Sequence, residues 1–182
     1  MENSNREKGN SLFRIVDDYV LVDIETTGLS PQRDDIIEIG AIKVKENEII
    51  DTYSSLIYTN RRLPYFITKL TGITNDMLEE GREIDKVLID FLNFVGDDII
   101  IGHNVNFDIS FLHDKCNKYL NRNLSNDFID TMRLARKLVP ESPNYKLGTL
   151  AKVFNIDYSN AHRGLKDVEI TYEVYNKLRE IC

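Results

Sequence analysis

Residues 19–28 read Tyr-Val-Leu-Val-Asp-Ile-Glu-Thr-Thr-Gly, and the rest of the chain is organised around this stretch. Its four leading apolar or aromatic residues predict a short buried strand, and the Thr-Thr-Gly sequence predicts a tight turn at the strand's end. Side chains two positions apart on a strand point to the same face, so Asp23 and Glu25 are expected to project side by side. Two neighbouring carboxylates repel each other and lose hydration, which is costly unless a cation neutralises them. The pair therefore indicates either a divalent metal site or a solvated strand end whose charges have no role.

The composition is that of an ordinary globular domain. At 182 residues the chain is long enough for one domain with a sizeable core, and 42% hydrophobic with 29% charged residues is a typical balance. No apolar run approaches the length of a membrane span, and residues 1–11 lack the hydrophobic segment of a signal peptide. Cys116 and Cys182 do not make a disulfide framework, which fits a reducing compartment and argues against a zinc site. These features predict a cytoplasmic protein without a membrane partner.

The formal net charge of −7 argues against a protein that coats nucleic acid through a broad basic surface. It is compatible with an enzyme that grips a few nucleotides in one acidic, metal-filled pocket. Some basic residues are candidates for a phosphate track, although most of them are expected to be solvated surface. These residues are Arg61, Arg62, Lys69, Arg133, Arg136, Lys137 and Lys146.

The order of the predicted elements points to an α/β domain. Residues 1–16 are charged and aperiodic, and they predict a flexible lead-in to a single domain over residues 17–182. Three strands come first, because turn residues at 30–35 precede two apolar runs that the polar residues 45–48 join as a hairpin. Strands and helices then alternate, which predicts a mixed central sheet with catalytic groups at strand ends. After the first strand, the predicted strands are 36–44, 49–58, 99–101 and 128–129, the segment 61–74 is irregular, and the predicted helices are 75–80, 84–95, one opening near 104, 131–138, 147–154 and 164–180.

Two further acids occupy the first turns of predicted helices. Asp108 has Phe111 and Leu112 three and four positions later, so its side chain is expected on the apolar side of its helix. Asp167 likewise heads the core-facing stripe of the last helix. A helix start favours an acid through the backbone dipole, which is the alternative explanation for Asp108. Both acids are candidates for the same site as the strand-end pair.

Four acids at the inward-facing ends of core elements together resemble a two-metal site. In such sites, ions about 3.5–4 Å apart stabilise the attacking and leaving oxygens of a phosphoryl displacement. Ligation by oxygen alone favours Mg²⁺ or Mn²⁺. His162 precedes Asp167 by five residues, which is about 140° on a helix, so both serve one site only if His162 lies on the loop or first turn before the helix. Gly164 permits that placement, and His162 is then free to be a base.

Three short motifs resemble those of a known enzyme family. Asp-Ile-Glu-Thr-Thr-Gly at 23–28, Gly-His-Asn-Val-Asn-Phe-Asp at 102–108 and His-Arg-Gly-Leu-Lys-Asp at 162–167 are similar to the three exonuclease motifs of the DnaQ-like 3′-to-5′ exonucleases, in the His-bearing form called DEDDh. The resemblance covers roughly residues 18–178. Three motifs in the family's order are far more specific than any one of them. The match resembles most closely the exonuclease units associated with bacterial replicative polymerases.

The resemblance implies an RNase H-like domain whose five-stranded mixed sheet has an antiparallel second strand. It implies two divalent ions, Mg²⁺ or Mn²⁺, and His162 as the general base that activates water. The implied metal ligands are Asp23, Glu25, Asp108 and Asp167. The residues implied to hold the terminal nucleotide are Thr26, Thr27, Gly28 and Leu29, with Asn104 and Phe107 as weaker members. Relatives usually have Ala at the position of Gly164, and this departure is expected to loosen the loop that bears His162.

These features predict a metal-dependent 3′-to-5′ exonuclease that removes nucleoside 5′-monophosphates from single-stranded or frayed DNA ends. A DNA polymerase is the expected protein partner, in proofreading or repair. Two alternatives stay open. Short RNA is a second substrate class, because nothing in the motifs senses a 2′-hydroxyl. A non-catalytic module that binds nucleic acid or a polymerase is the third possibility, against which the complete set of acids argues.

Three other polar residues near the motifs have structural explanations. His103 follows a buried strand and is expected to be hydrogen-bonded, whereas His113 lies among polar helix positions and is expected to face water. Asp130 precedes a predicted helix, so a helix cap explains it better than a fifth metal ligand.

Overall fold

The computed structural model describes residues 8–159 and 163–182, so His162 lies outside the described residues. The strands in that part of the chain are β1 (Ser11–Leu12), β2 (Tyr19–Thr26), β3 (Ile36–Lys45), β4 (Glu48–Leu56), β5 (Ile100–Gly102) and β6 (Phe128–Asp130). They form one mixed sheet in the spatial order β1-β6-β5-β2-β3-β4. The strand β3 runs antiparallel to both of its neighbours, whereas β1, β6, β5 and β2 are parallel.

Helices cover both faces of this sheet. Those within the described ranges are α1 (Tyr65–Thr71), α2 (Asn75–Glu79), α3 (Ile84–Val95), α4 (Asn106–Leu120), α5 (Thr131–Leu138), α6 (Leu147–Val153) and α7 (Gly164–Ile181). The helix α2 begins at Asn75, as predicted, and the Thr74 side chain caps it by accepting a hydrogen bond from the Met77 amide. None of the described helices is long and apolar enough to span a membrane.

The central strand β2 is buried on both faces. Tyr19 and Leu21 pack in the layer formed with α5, α6 and α7, whereas Val20 and Val22 pack in the layer formed with α3 and α4. This burial on both faces explains the unbroken apolar run at the start of the strand, because a strand with one solvent-exposed face would alternate apolar and polar residues. It also means that Asp23, which continues the Tyr19 and Leu21 series, emerges on the α7 side of the sheet.

The sequence predicts five strands, and the described chain has six. The additional strand, β1, lies within residues 1–16, which the sequence predicts to be a loose lead-in. Ser11 and Leu12 pair in parallel with Phe128 and Ile129 of β6. Two residues are too few to show a periodic pattern, so a strand held by a distant partner leaves no local signal. The antiparallel direction of β3, the predicted second strand, is confirmed.

A second difference is α1, which forms where the sequence predicts an irregular segment. Pro64 lies at the N-cap of this helix, and Gly72 ends it with a φ of 73°. Both residues fit a helix boundary, since proline is pre-organised for a helix start and glycine adopts the left-handed conformation that ends one. A single seven-residue helix between them is too short for its apolar periodicity to stand out.

Candidate active site

Three carboxylates converge at the C-terminal end of β2. Asp23 and Glu25 lie two positions apart on the strand, and Asp167 lies in the first turn of α7. Each residue offers one carboxylate oxygen, and these oxygens all lie within 4.8 Å of one another. Ionised acids this close repel one another strongly, so the arrangement requires bound protons or a bound cation.

A close approach of two backbones brings α7 to this position. Gly40 of β3 is paired with Asp23 of β2, and a Cβ atom at Gly40 would lie 2.3 Å from the carbonyl carbon of Gly164. A Cβ atom at Gly164 would in turn lie 3.0 Å from the Gly40 nitrogen. The start of α7 therefore rests on the backbone of β3, and Asp167, three residues after Gly164 in the first turn, lies within reach of the strand-end acids.

Asp108 is the fourth acid near the end of β2. It lies in the first turn of α4 and is 4% exposed. Its Oδ1 accepts a hydrogen bond from the Ile24 amide at 3.1 Å, and Ile24 lies between the two strand acids. After burial, the charge of Asp108 is the largest influence that raises the pKa of Asp23. The structure thus places all four predicted acids at one strand end.

Burial and mutual repulsion favour the protonated acids when no cation is bound. Burial, together with the charges of Asp167 and Glu38, raises the pKa of Glu25 to about 7. Burial raises the pKa of Asp108 to about 8, although the amide hydrogen bonds to its carboxylate act in the opposite direction. The pKa of Asp23 also lies well above its usual range, chiefly through burial. A hard divalent cation suits this all-carboxylate donor set, and its charge would reverse these shifts.

These raised pKa values predict that the metal-free protein loses stability as the pH rises. Unfolded Asp and Glu titrate near pH 4, whereas the folded protein holds protons on Glu25 and Asp108 up to about pH 7 and 8. Between these limits the folded state binds more protons than the unfolded state, so the free energy of unfolding falls with rising pH. We expect the melting temperature in EDTA to drop by at least about 2 °C between pH 5 and pH 8, the effect of about 1 kcal/mol in a chain of this size.

Glu25→Gln isolates the contribution of one acid to this pH dependence. The amide cannot titrate, so the fall in melting temperature should be smaller in the variant than in the wild type. Saturating Mn²⁺ should stabilise the wild type more at pH 8 than at pH 5, because bound metal competes with protons. A wild-type melting temperature that rises relative to Glu25→Gln across this range would contradict the raised pKa.

The loop after β2 is held in a closed shape by its own polar groups. The Thr26 hydroxyl donates to the Gly28 carbonyl at 2.6 Å. The Thr27 amide donates to the Asp35 carbonyl, and the Asp35 amide donates to the Thr27 hydroxyl, both at 2.9 Å. Leu29, at the tip of this loop, is 85% exposed. The predicted nucleotide-binding residues thus form a fixed loop that follows the acids and presents one apolar side chain to solvent.

Asn104 and Phe107 lie just before Asp108, at the start of α4. Asn104 is exposed and has a φ of 60°, and its amide donates to Asp130 Oδ1 at 2.9 Å. The same Asp130 oxygen caps α5 by accepting from the Met132 amide at 2.9 Å, as its position predicts. Phe107 is partly buried and stacks obliquely on Phe111 at 4.9 Å between ring centroids. Asn104 is thus free to meet a ligand, whereas part of Phe107 belongs to the core.

The two described histidines have structural surroundings. His103 has its ring nitrogens 2.9 Å from the Thr131 hydroxyl and 2.9 Å from the Tyr145 carbonyl, as its position after a buried strand predicts. The prediction that His113 faces water is wrong. His113 is 5% exposed, and its Nδ1 lies 3.2 Å from the Leu124 carbonyl. The chain after α4 turns back over that helix face and covers it, which the periodicity of the helix alone does not reveal.

Several residues of the candidate phosphate track contact the protein itself. Arg61 Nη1 lies 3.7 Å from Asp35 Oδ2. Arg133 and Lys137 lie over the ring of Phe13, at 5.3 Å and 5.1 Å from its centroid. These contacts hold surface segments together.

The sequence reasoning missed Glu38. This acid interrupts the apolar run of β3, is 2% exposed, and pairs across the sheet with Glu25. Arg163 Nη2 donates to Glu38 Oε1 at 2.8 Å. The available signal was a lone acid between two isoleucines in a predicted strand, since an acid within an apolar run needs a partner if the strand is buried.

Two curated proteins illustrate the likeness of this chain to polymerase subunits. DNA polymerase III PolC-type from Bacillus subtilis is 42% identical over 165 residues, which cover 89% of this chain and 12% of that protein. DNA polymerase III subunit epsilon from Aquifex aeolicus is 37% identical over 162 residues, which cover 89% of this chain and 80% of that protein. The chain thus spans about an eighth of the PolC-type protein and most of the epsilon subunit.

Solved structures share the fold. Escherichia coli exonuclease I in complex with a dT13 oligonucleotide matches with a TM-score of 0.78 and 20% identity, over 90% of this chain and 41% of that chain. Exonuclease X in complex with 5′ overhanging duplex DNA matches with a TM-score of 0.71 and 24% identity, over 89% of this chain and 91% of that chain. These matches confirm the predicted RNase H-like α/β fold. The RNase_T exonuclease model matches residues 20–175. The chain therefore belongs to the RNase_T exonuclease family.

Proposed function

We propose that this protein is a metal-dependent 3′-to-5′ exonuclease that hydrolyses phosphodiester bonds at single-stranded or frayed DNA ends and releases nucleoside 5′-monophosphates. The convergence of Asp23, Glu25 and Asp167 at one strand end, with Asp108 bonded to the same strand, carries the proposal. Acids that repel one another in buried or partly buried positions are costly to keep in a fold. Binding divalent ions for phosphodiester hydrolysis accounts for that cost, and it fits membership of an exonuclease family.

We assign the binding of two divalent ions, Mg²⁺ or Mn²⁺, to the four acids. When bound, such ions supply charge stabilisation at the reacting phosphate and a more acidic water. The role of the carboxylates is to provide four negative charges on fixed elements, two from β2 and one each from α4 and α7. Because the pKa values of Glu25, Asp108 and Asp23 are raised, metal binding should weaken on acidification as protons compete for these oxygens.

We assign the role of general base to His162. A neutral imidazole is suited to take a proton from water near neutral pH. The position of His162, five residues before Asp167, supports this assignment, because Asp167 itself lies in the first turn of α7 and Gly164 begins that helix. His162 can therefore belong to the approach to the helix and leave ligation to the acids.

We propose that the loop from Thr26 to Leu29 holds the terminal nucleotide, with Asn104 and Phe107 as further contacts. The loop is closed by internal hydrogen bonds, and Leu29 offers an exposed apolar surface to a base. DNA is the favoured substrate, since exonucleases I and X, which share the fold, were solved with DNA. The net charge of −7 favours contact with only a few nucleotides.

A DNA polymerase is the partner that we propose. In the PolC-type relatives, the matching region is a small part of a polymerase chain, and the Aquifex relative is a polymerase III subunit. Action beside a replicative polymerase, in proofreading or repair, would place this protein in the cytoplasm.

Matched DNA and RNA single strands, each labelled at the 5′ end, test the proposed activity. With Mg²⁺ or Mn²⁺ present, we expect stepwise shortening of the DNA from its 3′ end, release of mononucleotides, and no reaction in EDTA. A strong preference for RNA would favour the exoribonuclease alternative. If the folded protein leaves both strands intact with both metals, the non-catalytic binding module is the better explanation.

A further inference from the structure

A buried acid lies on the metal-binding face of the sheet without belonging to the converging group. Glu38 of β3 is paired in register with Glu25 of β2, so the two side chains share a face. Glu38 is 2% exposed, and its charge raises the pKa of both Glu25 and Asp23. The carboxylates that converge are those of Asp23, Glu25 and Asp167. Glu38 therefore adds repulsion to the site and needs a separate explanation.

Within the described residues, the hydrogen bonds of the Glu38 side chain lead to the start of α7. Glu38 Oε1 accepts from Arg163 Nη2 at 2.8 Å, and both carboxylate oxygens lie 3.2 Å from Arg163 Nε. Glu38 Oε2 also accepts from the Gly164 amide at 2.9 Å. We call these three groups the Glu38–Arg163 clamp. Charge-assisted bonds of this forked kind are strong and directional, so the clamp ties β3 to the start of α7.

The clamp replaces the usual cap of the helix that carries Asp167. Arg163 occupies the N-cap position without a side-chain cap bond, and Gly164 is the first residue of α7. The Glu38 carboxylate satisfies the free Gly164 amide and places negative charge at the positive end of the helix. The Arg163 carbonyl accepts from the Asp167 amide at 2.9 Å, which closes the first turn. The clamp therefore sits one hydrogen bond away from a metal-binding acid.

Arg163 has an electrostatic effect as well. Its guanidinium lies 2.8 Å from the Glu38 carboxylate and compensates the negative charge of that buried acid. Without Arg163, the buried charge of Glu38 would be uncompensated at the edge of the metal site.

We propose that Glu38 and Arg163 are positioning residues of the metal site. They fix the start of α7 so that the Asp167 carboxylate meets those of Asp23 and Glu25, and they keep the net charge of this face suited to cations. The proposal rests on the proposed function for the identity of the site. It predicts chiefly an effect on metal affinity, and through it an effect on the rate of hydrolysis. The clamp and the proposed function can therefore fail separately.

The test compares Glu38→Gln, Arg163→Gln and the double variant with the wild type, by Mn²⁺ titration calorimetry and by kcat and KM on a DNA strand. Each single variant should bind Mn²⁺ about 10-fold more weakly or worse, and kcat should fall about 10- to 100-fold, the scale expected for a misplaced group. KM for DNA should change less than about twofold, because neither residue holds substrate. The double variant should bind Mn²⁺ no more weakly than the single variant with the lower affinity, since both changes disrupt the same clamp.

The matched control is Arg82→Gln, which breaks the surface ion pair of Arg82 with Asp90, 2.6 Å long, and should leave Mn²⁺ affinity unchanged. Arg163→Lys should bind Mn²⁺ more tightly than Arg163→Gln but less tightly than the wild type, because lysine keeps the positive charge without the two-pronged hydrogen bonding of the guanidinium. Arg163→Lys keeps a cation beside the buried Glu38, so it still tests the geometry of the clamp if Glu38→Gln or Arg163→Gln does not fold. Wild-type Mn²⁺ affinity in folded Arg163→Gln would overturn the proposal. A wild type that binds Mn²⁺ but cleaves no nucleic acid would instead refute the proposed function, and weaker Mn²⁺ binding in the variants would still support the clamp.

Discussion

Asp23→Asn is expected to lower kcat by about 10³-fold or more and, in the same protein, to raise the melting temperature in EDTA. The loss of rate follows because a missing ligand forfeits part of the charge stabilisation that bound metal supplies, and about 4 kcal/mol corresponds to about 10³-fold. The gain in stability follows because the amide is neutral at every pH, whereas the folded metal-free protein must either bind a proton at Asp23 or hold its charge beside the other acids. Asp23 is the strand acid most strongly influenced by Asp108, so its neutralisation relieves repulsion in the metal-free protein.

The two effects are measured on the same preparation, as kcat on a labelled DNA strand and as melting temperature with and without Mn²⁺. The variant should also lose most of the stabilisation by Mn²⁺, since the stabilisation that a ligand gives at a fixed concentration falls as its affinity for the folded protein falls. Asp51→Asn makes the same chemical change at an exposed position of β4, and it should alter neither quantity. If Asp23→Asn retains the full response to Mn²⁺, Asp23 is not a ligand.

His162→Ala is expected to lower kcat by about 10²- to 10⁴-fold, the usual cost of losing a general base. In contrast to Asp23→Asn, it should keep the wild-type stabilisation by Mn²⁺, because the proposed role involves proton transfer and no ligation. Wild-type kcat should fall on the acidic side as His162 takes up a proton, and the variant should lack that limb of the profile. The pair of variants thus separates a base from a ligand by two independent measurements.

The pH profile needs a histidine control, because protons also compete with metal for the acids. His113→Gln changes a buried histidine whose ring faces the Leu124 carbonyl, so it should lower the melting temperature and leave the shape of the pH profile intact. Wild-type kcat in His162→Ala, or loss of its Mn²⁺ response, would show that His162 has a different role.

The face of its element on which each acid lies could be predicted from the sequence, because it depends on local geometry. Asp23 and Glu25 share a face through the two-residue period of a strand, and Asp167 heads the apolar stripe of α7 through the period of a helix. Each pattern is complete within one element. The two elements meet where apolar residues of both are buried together, and burial is the property that a sequence shows best.

The features that the sequence did not reveal depend on partners far along the chain. The strand β1 exists through its pairing with β6, more than a hundred residues later, and has no periodicity of its own. His113 is buried by the chain segment that carries Leu124. The bond between Arg163 and Glu38 joins residues 125 positions apart, and nothing in the sequence around either residue indicates its partner. Contacts of this kind follow from the assembled fold, which no local pattern encodes.

The close approach of Gly40 and Gly164 has a consequence for how mutations in this protein are interpreted. A methyl group at Gly40 would overlap the backbone of α7, so any other residue there must push the helix start away from the sheet and carry Asp167 with it. In a mutational scan scored by activity, position 40 should therefore tolerate substitution as poorly as a metal ligand, although it has no side chain. Intolerance at position 40 would reflect the lack of space between the backbones of β3 and α7. Position 40 should therefore be excluded when catalytic residues are assigned from such a scan.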